Sequence, residues 1–202
     1  MRQEVVIATR NEKKFKELKR LFRSSRVKIL SLKDFPQVPE VIENGRTFTD
    51  NAIKKAISAS RYIDKVILAD DSGLEVDALK GRPGVHSARY AGPEKDDDLN
   101  MEKLLRALRD KPQKRRQARF RCAVAIAKEG GVLSLVEGVC EGRIGSAKRG
   151  ITGFGYDPVF IPEGKKKTFA QLGPKTKDRL SHRAKALRKA KSFIQIYFSK
   201  AL

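Results

Sequence analysis

Residues 4–18 read EVVIATRNEKKFKEL, and this stretch decides the fold because its hydrophobic period changes within a few residues. Glu4 to Ala8 form a short apolar run of the kind found in a buried strand. From Asn11 onward the apolar residues recur at helical spacing, with Phe15, Leu18 and Phe22 on one face. The stretch therefore predicts a strand, a tight loop and a helix, in that order.

The rest of the chain alternates between strand-like and helix-like patterns. Helices are predicted over residues 48–62, 101–108 and 184–198, and strands over 27–30, 66–69, 74–76, 118–127 and 132–140, with a short apolar segment at 158–162. Glu129-Gly130-Gly131 predicts a hairpin between two of the strands, whereas the helices between other strands indicate parallel crossovers. We therefore expect an α/β or α+β protein with a mixed sheet, in one domain whose polar loops border a cleft.

The composition excludes several classes of protein. The chain has 202 residues, of which 40% are apolar, so it can bury a core. No window approaches the roughly 18 apolar residues of a membrane span, and the first residues lack the features of a secretory signal. Cys122 and Cys140 lie in apolar strand-like runs without CxxC spacing, so we expect two buried thiols and a reducing cytoplasm.

The charge is strongly positive. Lys and Arg number 45 against 24 Asp and Glu, which gives a formal net charge of +21. Nucleic acid, anionic lipid and phosphorylated small molecules all fit a basic surface, and net charge alone does not choose among them. The densest basic stretch, Lys111–Arg121, is interpreted as a solvated connection leading into a strand.

The first motif with chemical content is Thr9-Arg10-Asn11-Glu12-Lys13-Lys14, where a strand ends and a helix begins. Backbone N–H groups and the positive end of a helix dipole attract phosphate at such a position, and a hydroxyl, an amide and an ammonium complete the cradle. The alternative is that Asn11 only caps the helix and Lys14 is a solvated side chain.

The second motif is the pair Asp70-Asp71, taken with Glu43. Neighbouring side chains on a strand point to opposite sides, so one of the two aspartates is expected to face a given ligand. Oxygen ligands without a His or Cys cluster suit Mg²⁺ or Mn²⁺. The alternative is a turn, with Asp71 as a helix cap in Asp71-Ser72-Gly73.

The remaining motifs lie in the C-terminal third. Gly153-Phe154-Gly155-Tyr156-Asp157-Pro158 holds aromatic rings on a glycine-rich loop beside a carboxylate, and such a loop can stack on a base and accept its N–H groups. Lys177 and Ser181-His182-Arg183 precede the last predicted helix. Taken alone, Ser181 is read as a helix cap and His182-Arg183 as a surface pair.

Several motifs follow one another in a single order from Val5 to about Leu187. They are T-x-N-x-x-K from Thr9, T-F-x-x-N-A-x-x-K-A from Thr47, A-D-D-S-G-L from Ala69, S-A-R-Y from Ser87, Arg119-Phe120, G-F-G-Y-D-P from Gly153 and S-H-R from Ser181. This series resembles the noncanonical purine nucleoside triphosphate pyrophosphatases. These are also called inosine triphosphate pyrophosphatases or XTP/dITP diphosphatases.

The resemblance implies a fold and an activity. The fold would be α/β, with an elongated, mixed, twisted sheet, flanking helices and two lobes around a nucleotide-binding cleft, so that residues 1–202 form a single bilobal domain. The activity would be Mg²⁺-dependent hydrolysis of ITP, dITP and XTP to nucleoside monophosphate and pyrophosphate. The implied enzyme is a cytoplasmic homodimer that cleanses the nucleotide pool, with no specific nucleic acid or membrane as partner.

The resemblance also assigns roles to individual residues. The triphosphate contacts would come from the first loop, Thr9, Arg10, Asn11, Glu12, Lys13 and Lys14, assisted by Lys55. Ser72 would contact the nucleotide. The base and sugar would be held by Phe154, Gly155, Tyr156 and Asp157, and the base pocket would be completed by Lys177, His182 and Arg183. Glu43 and Asp71 would hold Mg²⁺, with Mn²⁺ as an alternative ion. Asp71 would also accept a proton from the attacking water. Glu40 is the competing metal ligand, although the spacing to Thr47-Phe48 favours Glu43.

Two residues depart from the family pattern. Relatives usually have a small residue after the first threonine, where this chain has Arg10, and Lys13 adds a further charge. Arg10 either points outward or adds a phosphate contact, and the sequence leaves both open.

Two rival hypotheses remain. A basic nucleic-acid-binding protein without hydrolase activity would explain the charge, but the motifs include acidic residues that would repel a phosphate backbone. A pyrophosphatase acting on modified pyrimidines would share much of the site, and the His182-Arg183 pair argues against it.

Overall fold

The computed structural model describes residues 3–23 and 27–200, which form an α/β fold. The strands are β1 (Glu4–Ile7), β2 (Lys28–Ser31), β3 (Val66–Val76), β4 (Gln117–Lys128), β5 (Gly131–Ile144) and β6 (Phe160–Pro162). The helices are α1 (Glu12–Leu21), α2 (Phe48–Ser60), α3 (Asp97–Ala107), α4 (Phe169–Leu180) and α5 (His182–Lys200), and short 3₁₀ helices cover Leu32–Asp34, Asp77–Leu79, Gly84–Arg89 and Gln113–Arg115.

The strands form one mixed sheet in the order β2-β1-β3-β4-β5-β6. β1 is parallel to both β2 and β3, since helices α1 and α2 supply the crossovers, while β6 is antiparallel to β5. β4 and β5 are neighbours joined by Glu129 and Gly130, both with positive φ, which confirms the predicted hairpin. The α/β class and the mixed sheet with flanking helices are therefore confirmed.

The chain divides into two compact units. The first unit comprises the described residues within 1–71, 122–138 and 183–202. Its core joins Val5, Ile7, Leu68 and Val124 of the strands to apolar residues of α1 and α5. α2 also belongs to this unit and begins with a reciprocal capping box, because Thr47 and Asp50 each accept the other's backbone N–H at 3.0 Å.

The second unit comprises residues 72–121 and 139–182. Its core joins Leu74 and Val76 of β3 to Leu104 of α3 and to a group of aromatic rings. In that group the Phe160 ring lies 4.5 Å from the Phe120 ring and 5.5 Å from the Phe169 ring, measured between centroids. Each unit thus has its own apolar core.

Three sequence predictions need correction. The alternative of a turn at Asp71-Ser72-Gly73 is wrong, because β3 runs unbroken from Val66 to Val76. The predicted helix at 101–108 starts earlier, at Asp97, because Asp96 caps it by accepting the Leu99 N–H at 2.9 Å. Helix α4 was missed, since Gly173 at φ 75° and the following Pro174 interrupt its periodicity.

The basic stretch Lys111–Arg121 is only partly a solvated connection. Lys111, Lys114 and Arg115 are exposed, as predicted. Arg116 is buried instead, and its guanidinium donates to the backbone carbonyls of Leu108, Lys111 and Gly145 at 2.8–3.0 Å. One of the cations in this stretch therefore stabilises the fold.

Two further observations bear on the predicted class. Cys122 and Cys140 are both buried and free, as expected from their positions in apolar runs. Within residues 3–23 and 27–200, no helix is long and apolar enough to cross a membrane.

Candidate functional site

The loop between β1 and α1 holds the residues predicted to bind phosphate. Asn11 is the N-cap of α1, and its Oδ1 accepts the Lys14 N–H at 3.1 Å. Thr9 Oγ1 in turn accepts the Asn11 N–H at 3.2 Å. Asn11 therefore does cap the helix, as the alternative interpretation predicted. The cap fixes a helix N-terminus at this loop, and the helix dipole favours an anion there.

Asp70 belongs to a buried network of charges in the first unit. Its Oδ2 lies 3.7 Å from Lys14 Nζ and accepts the Arg183 Nε–H at 3.2 Å. Arg183 Nη1 also pairs with Glu17 of α1, a residue that sequence reasoning did not single out. Glu17, Asp70 and Arg183 are all almost fully buried, and buried charges persist when they are paired in this way.

Asp71 points to different partners from those of Asp70, as expected for neighbours on a strand. Its Oδ2 accepts a hydrogen bond from Asn51 Nδ2 at 3.0 Å, and its Oδ1 lies 3.5 Å from Lys55 Nζ. The same Lys55 Nζ donates to Glu43 Oε1 at 2.7 Å. α2 thus supplies both Asn51 and Lys55, four residues apart on one helix face.

Asn51 is a site residue that the sequence motif contained but to which it gave no role. Its Oδ1 accepts the Gly45 N–H at 2.8 Å while its Nδ2 donates to Asp71. A side chain at position 45 would place its Cβ 2.6 Å from Asn51 Oδ1, so only glycine permits this approach. Asn51 therefore links Asp71 to the segment that carries Glu43.

The pKa values of Asp71 and Glu43, the two carboxyl groups beside Lys55, are shifted in opposite directions. Burial raises the pKa of Asp71, and the opposing attraction of Lys55 does not cancel that rise. For Glu43, burial also raises the pKa, but the Lys55 ammonium outweighs it and the pKa falls below its usual range. Burial lowers the pKa of Lys55, yet Asp71, Asp70 and Glu43 together raise it. Lys55 is therefore held as a cation between two carboxylates.

Glu43 and Asp71 form a donor set that suits a hard divalent cation. Both carboxylates approach the same ammonium, so they lie in one small region and offer oxygen ligands. Among the described residues, no group of three or more His, Cys, Asp and Glu could hold a metal ion. Mg²⁺ commonly uses one or two carboxylates together with substrate phosphates, so this pair fits a metal that binds with a phosphorylated ligand.

A second group of predicted residues lies in the second unit, on the loop after Gly153. Asp157 Oδ2 accepts hydrogen bonds from Phe154 N at 2.9 Å and from Lys177 Nζ at 2.6 Å. Lys177 Nζ also lies 4.4 Å from the centroid of the Phe154 ring, within range of a cation–π interaction. The loop thus brings Phe154, Asp157 and Lys177 together, as predicted.

His182 and Tyr156, two other residues of this second group, are held by a ring stack and by a hydrogen bond. The His182 imidazole stacks on the Phe120 ring, with centroids 4.7 Å apart and planes at 14°. The Tyr156 hydroxyl donates to the Ser87 carbonyl at 2.9 Å, and burial raises the pKa of its phenol. His182 is buried rather than on the surface, which corrects the interpretation of it as a surface residue.

The remaining predicted residues have simpler surroundings. Ser72 is half-buried in β3, Lys13 is exposed on α1, and Glu12 pairs with Lys33. Arg10 Nη2 donates to the Val38 carbonyl at 2.8 Å. Arg10 therefore contacts the segment before Glu43, an arrangement that neither sequence interpretation foresaw.

Known proteins match this chain over nearly its whole length. The sequence model of the Ham1 family matches residues 5–193. The dITP/XTP pyrophosphatase of Geobacillus kaustophilus is 53% identical over 92% of this chain and 91% of the relative, and that of Desulforamulus reducens is 52% identical over 92% of both chains. The solved Ham1 protein of Staphylococcus aureus, at 38% identity, superposes with a TM-score of 0.85 over 96% of this chain and 98% of that structure.

The fold and the paired carboxylate–lysine site define an α/β protein with a site suited to an anionic, metal-bound ligand. The matches make the class specific: the chain belongs to the Ham1 family.

Proposed function

We propose that this protein is a nucleoside triphosphate pyrophosphatase. It hydrolyses the noncanonical purine nucleotides ITP, dITP and XTP to nucleoside monophosphate and pyrophosphate. Relatives about half identical over most of their length carry the name dITP/XTP pyrophosphatase, which supports this activity. The observation in the structure that supports it best is Asp71, a buried carboxylate held by Asn51 and Lys55 beside Glu43.

In the proposed reaction, a water oxygen forms a bond to phosphorus and the phosphoanhydride bond between the α- and β-phosphates breaks. Asp71 accepts the proton of the water, and its raised pKa is consistent with a base. Lys14 and Lys55 offset the charge that develops on the leaving pyrophosphate. Thr9, Asn11 and the first turn of α1 hold the phosphates.

We propose Glu43 and Asp71 as the residues that hold Mg²⁺, or Mn²⁺ in its place. When bound, the ion supplies positive charge to the phosphate oxygens. Glu43 is favoured over Glu40, because Glu43 accepts a hydrogen bond from Lys55, which also lies beside Asp71, whereas Glu40 is exposed.

For the base, we propose the second group of residues together with Arg183 of the first unit. Phe154 and Tyr156 supply aromatic surface, Asp157 accepts N–H groups, and Lys177, His182 and Arg183 donate hydrogen bonds. Ser72 contacts the nucleotide, and Arg10, Glu12, Lys13 and Gly155 belong to the two binding loops.

We also propose a single bilobal domain with a nucleotide cleft, a homodimer and a cytoplasmic location. The nucleic-acid-binding alternative has no support among the matched proteins.

The bond that breaks gives the decisive experiment. Purified protein is incubated with Mg²⁺ and, separately, ITP, dITP, XTP, GTP and ATP, and pyrophosphate and orthophosphate are measured independently. We expect pyrophosphate and monophosphate from the first three nucleotides and little product from ATP. Orthophosphate with a nucleoside diphosphate as the main products would contradict the proposal, because it would mean attack at the γ-phosphate.

A further inference from the structure

Three consecutive acidic residues begin helix α3, and their side chains have different partners. Asp96 is the N-cap and accepts the Leu99 N–H at 2.9 Å. Asp98 pairs with Lys148 at 2.9 Å and is 71% exposed. Asp97, between them, accepts the backbone N–H of Gly155 at 2.9 Å. Capping and surface pairing therefore account for Asp96 and Asp98, whereas Asp97 acts on a distant loop.

Gly155 lies within the loop that carries Phe154, Tyr156 and Asp157. The backbone of this loop is unusual, since φ is +86° at Gly153 and +62° at Gly155. The Phe154 N–H is held by Asp157 Oδ2, which Lys177 also contacts. The Asp157 carbonyl accepts the Ala170 N–H at 3.1 Å. Asp157 thus anchors one side of the loop, and Asp97 holds the amide that follows Phe154.

We infer that Asp97 is a positioning residue for the Phe154–Asp157 loop and thereby for binding of the purine base. The inference rests on the proposed function. A hydrogen bond to an ionised carboxylate is stronger than one between neutral groups, so Asp97 fixes the Gly155 peptide and with it the direction of the Phe154 ring. A loop held in its binding conformation binds ligand more tightly than one that must first be ordered.

The expected effect is on substrate binding rather than on the chemical step. The proposed proton acceptor and phosphate-binding lysines, Asp71, Lys14 and Lys55, belong to the first unit, whereas Asp97 and Gly155 belong to the second. Loss of the Asp97 carboxylate should raise KM for ITP about tenfold, with kcat changed less than about twofold.

The chain offers a matched control for this test. Asp98→Ala removes the same charge from the same first turn of α3, so it controls for the loss of a negative charge near the helix N-terminus. Asp97→Asn keeps a side-chain oxygen that can accept the Gly155 N–H and should restore most of the binding. Asp97→Glu keeps the charge but places the carboxylate one methylene further away, and it replaces the alanine variant if that variant does not fold.

Two measurements on the full chain decide the inference. The first is KM and kcat for ITP, and the second is hydrogen exchange at the Gly155 amide by NMR. We expect Asp97→Ala to raise KM and to speed Gly155 exchange about tenfold, while Asp98→Ala does neither and Asp97→Asn restores both. Equal KM values and equal Gly155 exchange in the two alanine variants would overturn the inference, as would a fall in kcat at unchanged KM. If the wild type hydrolyses no nucleotide, the proposed function fails instead, and the Gly155 exchange still tests the contact.

Discussion

The two groups of site residues are constructed by different physical means. In the first unit the side chains are charged and hold one another: Lys55 lies between Glu43 and Asp71, and Arg183 lies between Glu17 and Asp70. In the second unit a single buried ion pair, Lys177 with Asp157, is combined with backbone amides and rings, such as the Phe154 N–H on Asp157 and the stack of His182 on Phe120.

This difference predicts how each group responds to substitution. A network of buried charges acts through electrostatics, so changing one charge alters either the reaction rate or the stability of the fold. A loop and a stack of rings act through shape, so changing them alters affinity and selectivity. The comparison therefore separates residues by whether kcat, KM or the free energy of unfolding responds.

The largest effect is expected for Asp71→Asn. This change keeps the shape and the contact with Asn51 but removes the proposed base and a negative charge beside Lys55. kcat for ITP should fall at least about 100-fold, while the free energy of unfolding changes little. Steady-state kinetics and urea denaturation of the same preparation provide the measurement.

Asp70→Asn is the matched variant, one position earlier on β3. The new side-chain NH₂ group would replace one of the two Asp70 oxygens. It would face either the Arg183 guanidinium or the place of Asp70 Oδ1, which is buried and has no hydrogen-bond partner in the described part of the chain. We expect unfolding free energy to fall by about 3 kcal/mol, because a buried pair loses one partner. Near-normal turnover by folded Asp71→Asn would remove Asp71 from the role of base.

The contrast between these neighbours also shows what the sequence can predict. The alternation of side chains on a strand predicts that Asp70 and Asp71 point apart, and the order of motifs identifies the family. Local periodicity also predicts β1, α1, α2 and the hairpin, because each depends on residues close in sequence. The continuous strand through Gly73 was not predictable, since the local sequence Ser72-Gly73 is equally typical of a turn. Helix α4 was not predictable because Gly173 and Pro174 interrupt its helical pattern.

The site was predictable to the same limited extent. The motifs contain Asp71, Lys55 and Asp157, whose residue types suit the proposed chemistry. Glu17 and Asp97 escaped because their roles depend on partners 166 and 58 residues away in sequence. An acidic residue in the first turn of a helix is ordinary, so nothing local distinguishes Asp97 from Asp98.

A smaller effect, on selectivity, is expected for Arg183→Lys. Hypoxanthine presents an acceptor at the 6-position where adenine presents a donor, and lysine keeps the positive charge beside Asp70 and Glu17 but loses the planar set of guanidinium donors that could bind that acceptor. kcat/KM for ITP should fall about 10- to 100-fold, and that for ATP much less, so their ratio shrinks. The exposed Arg188→Lys on the same helix is the control. If both substrates are affected equally, Arg183 acts through Asp70 and Glu17, and recognition of the base belongs to the second unit alone.

The smallest effect is expected for Arg10→Ser, which introduces the type of small residue that relatives usually have. The Arg10 guanidinium donates to the Val38 carbonyl and so connects the loop between β1 and α1 to the segment that leads to Glu43. Losing this one bond should raise the Mg²⁺ concentration for half-maximal activity roughly two- to fivefold, with kcat at saturating Mg²⁺ nearly unchanged. Lys16→Ser removes an equal charge from an exposed position on α1 and should leave the Mg²⁺ requirement as it is. A rise in KM for ITP at an unchanged Mg²⁺ requirement would instead make Arg10 a phosphate contact. The first unit would then bind the triphosphate with Arg10 in addition to Lys14 and Lys55.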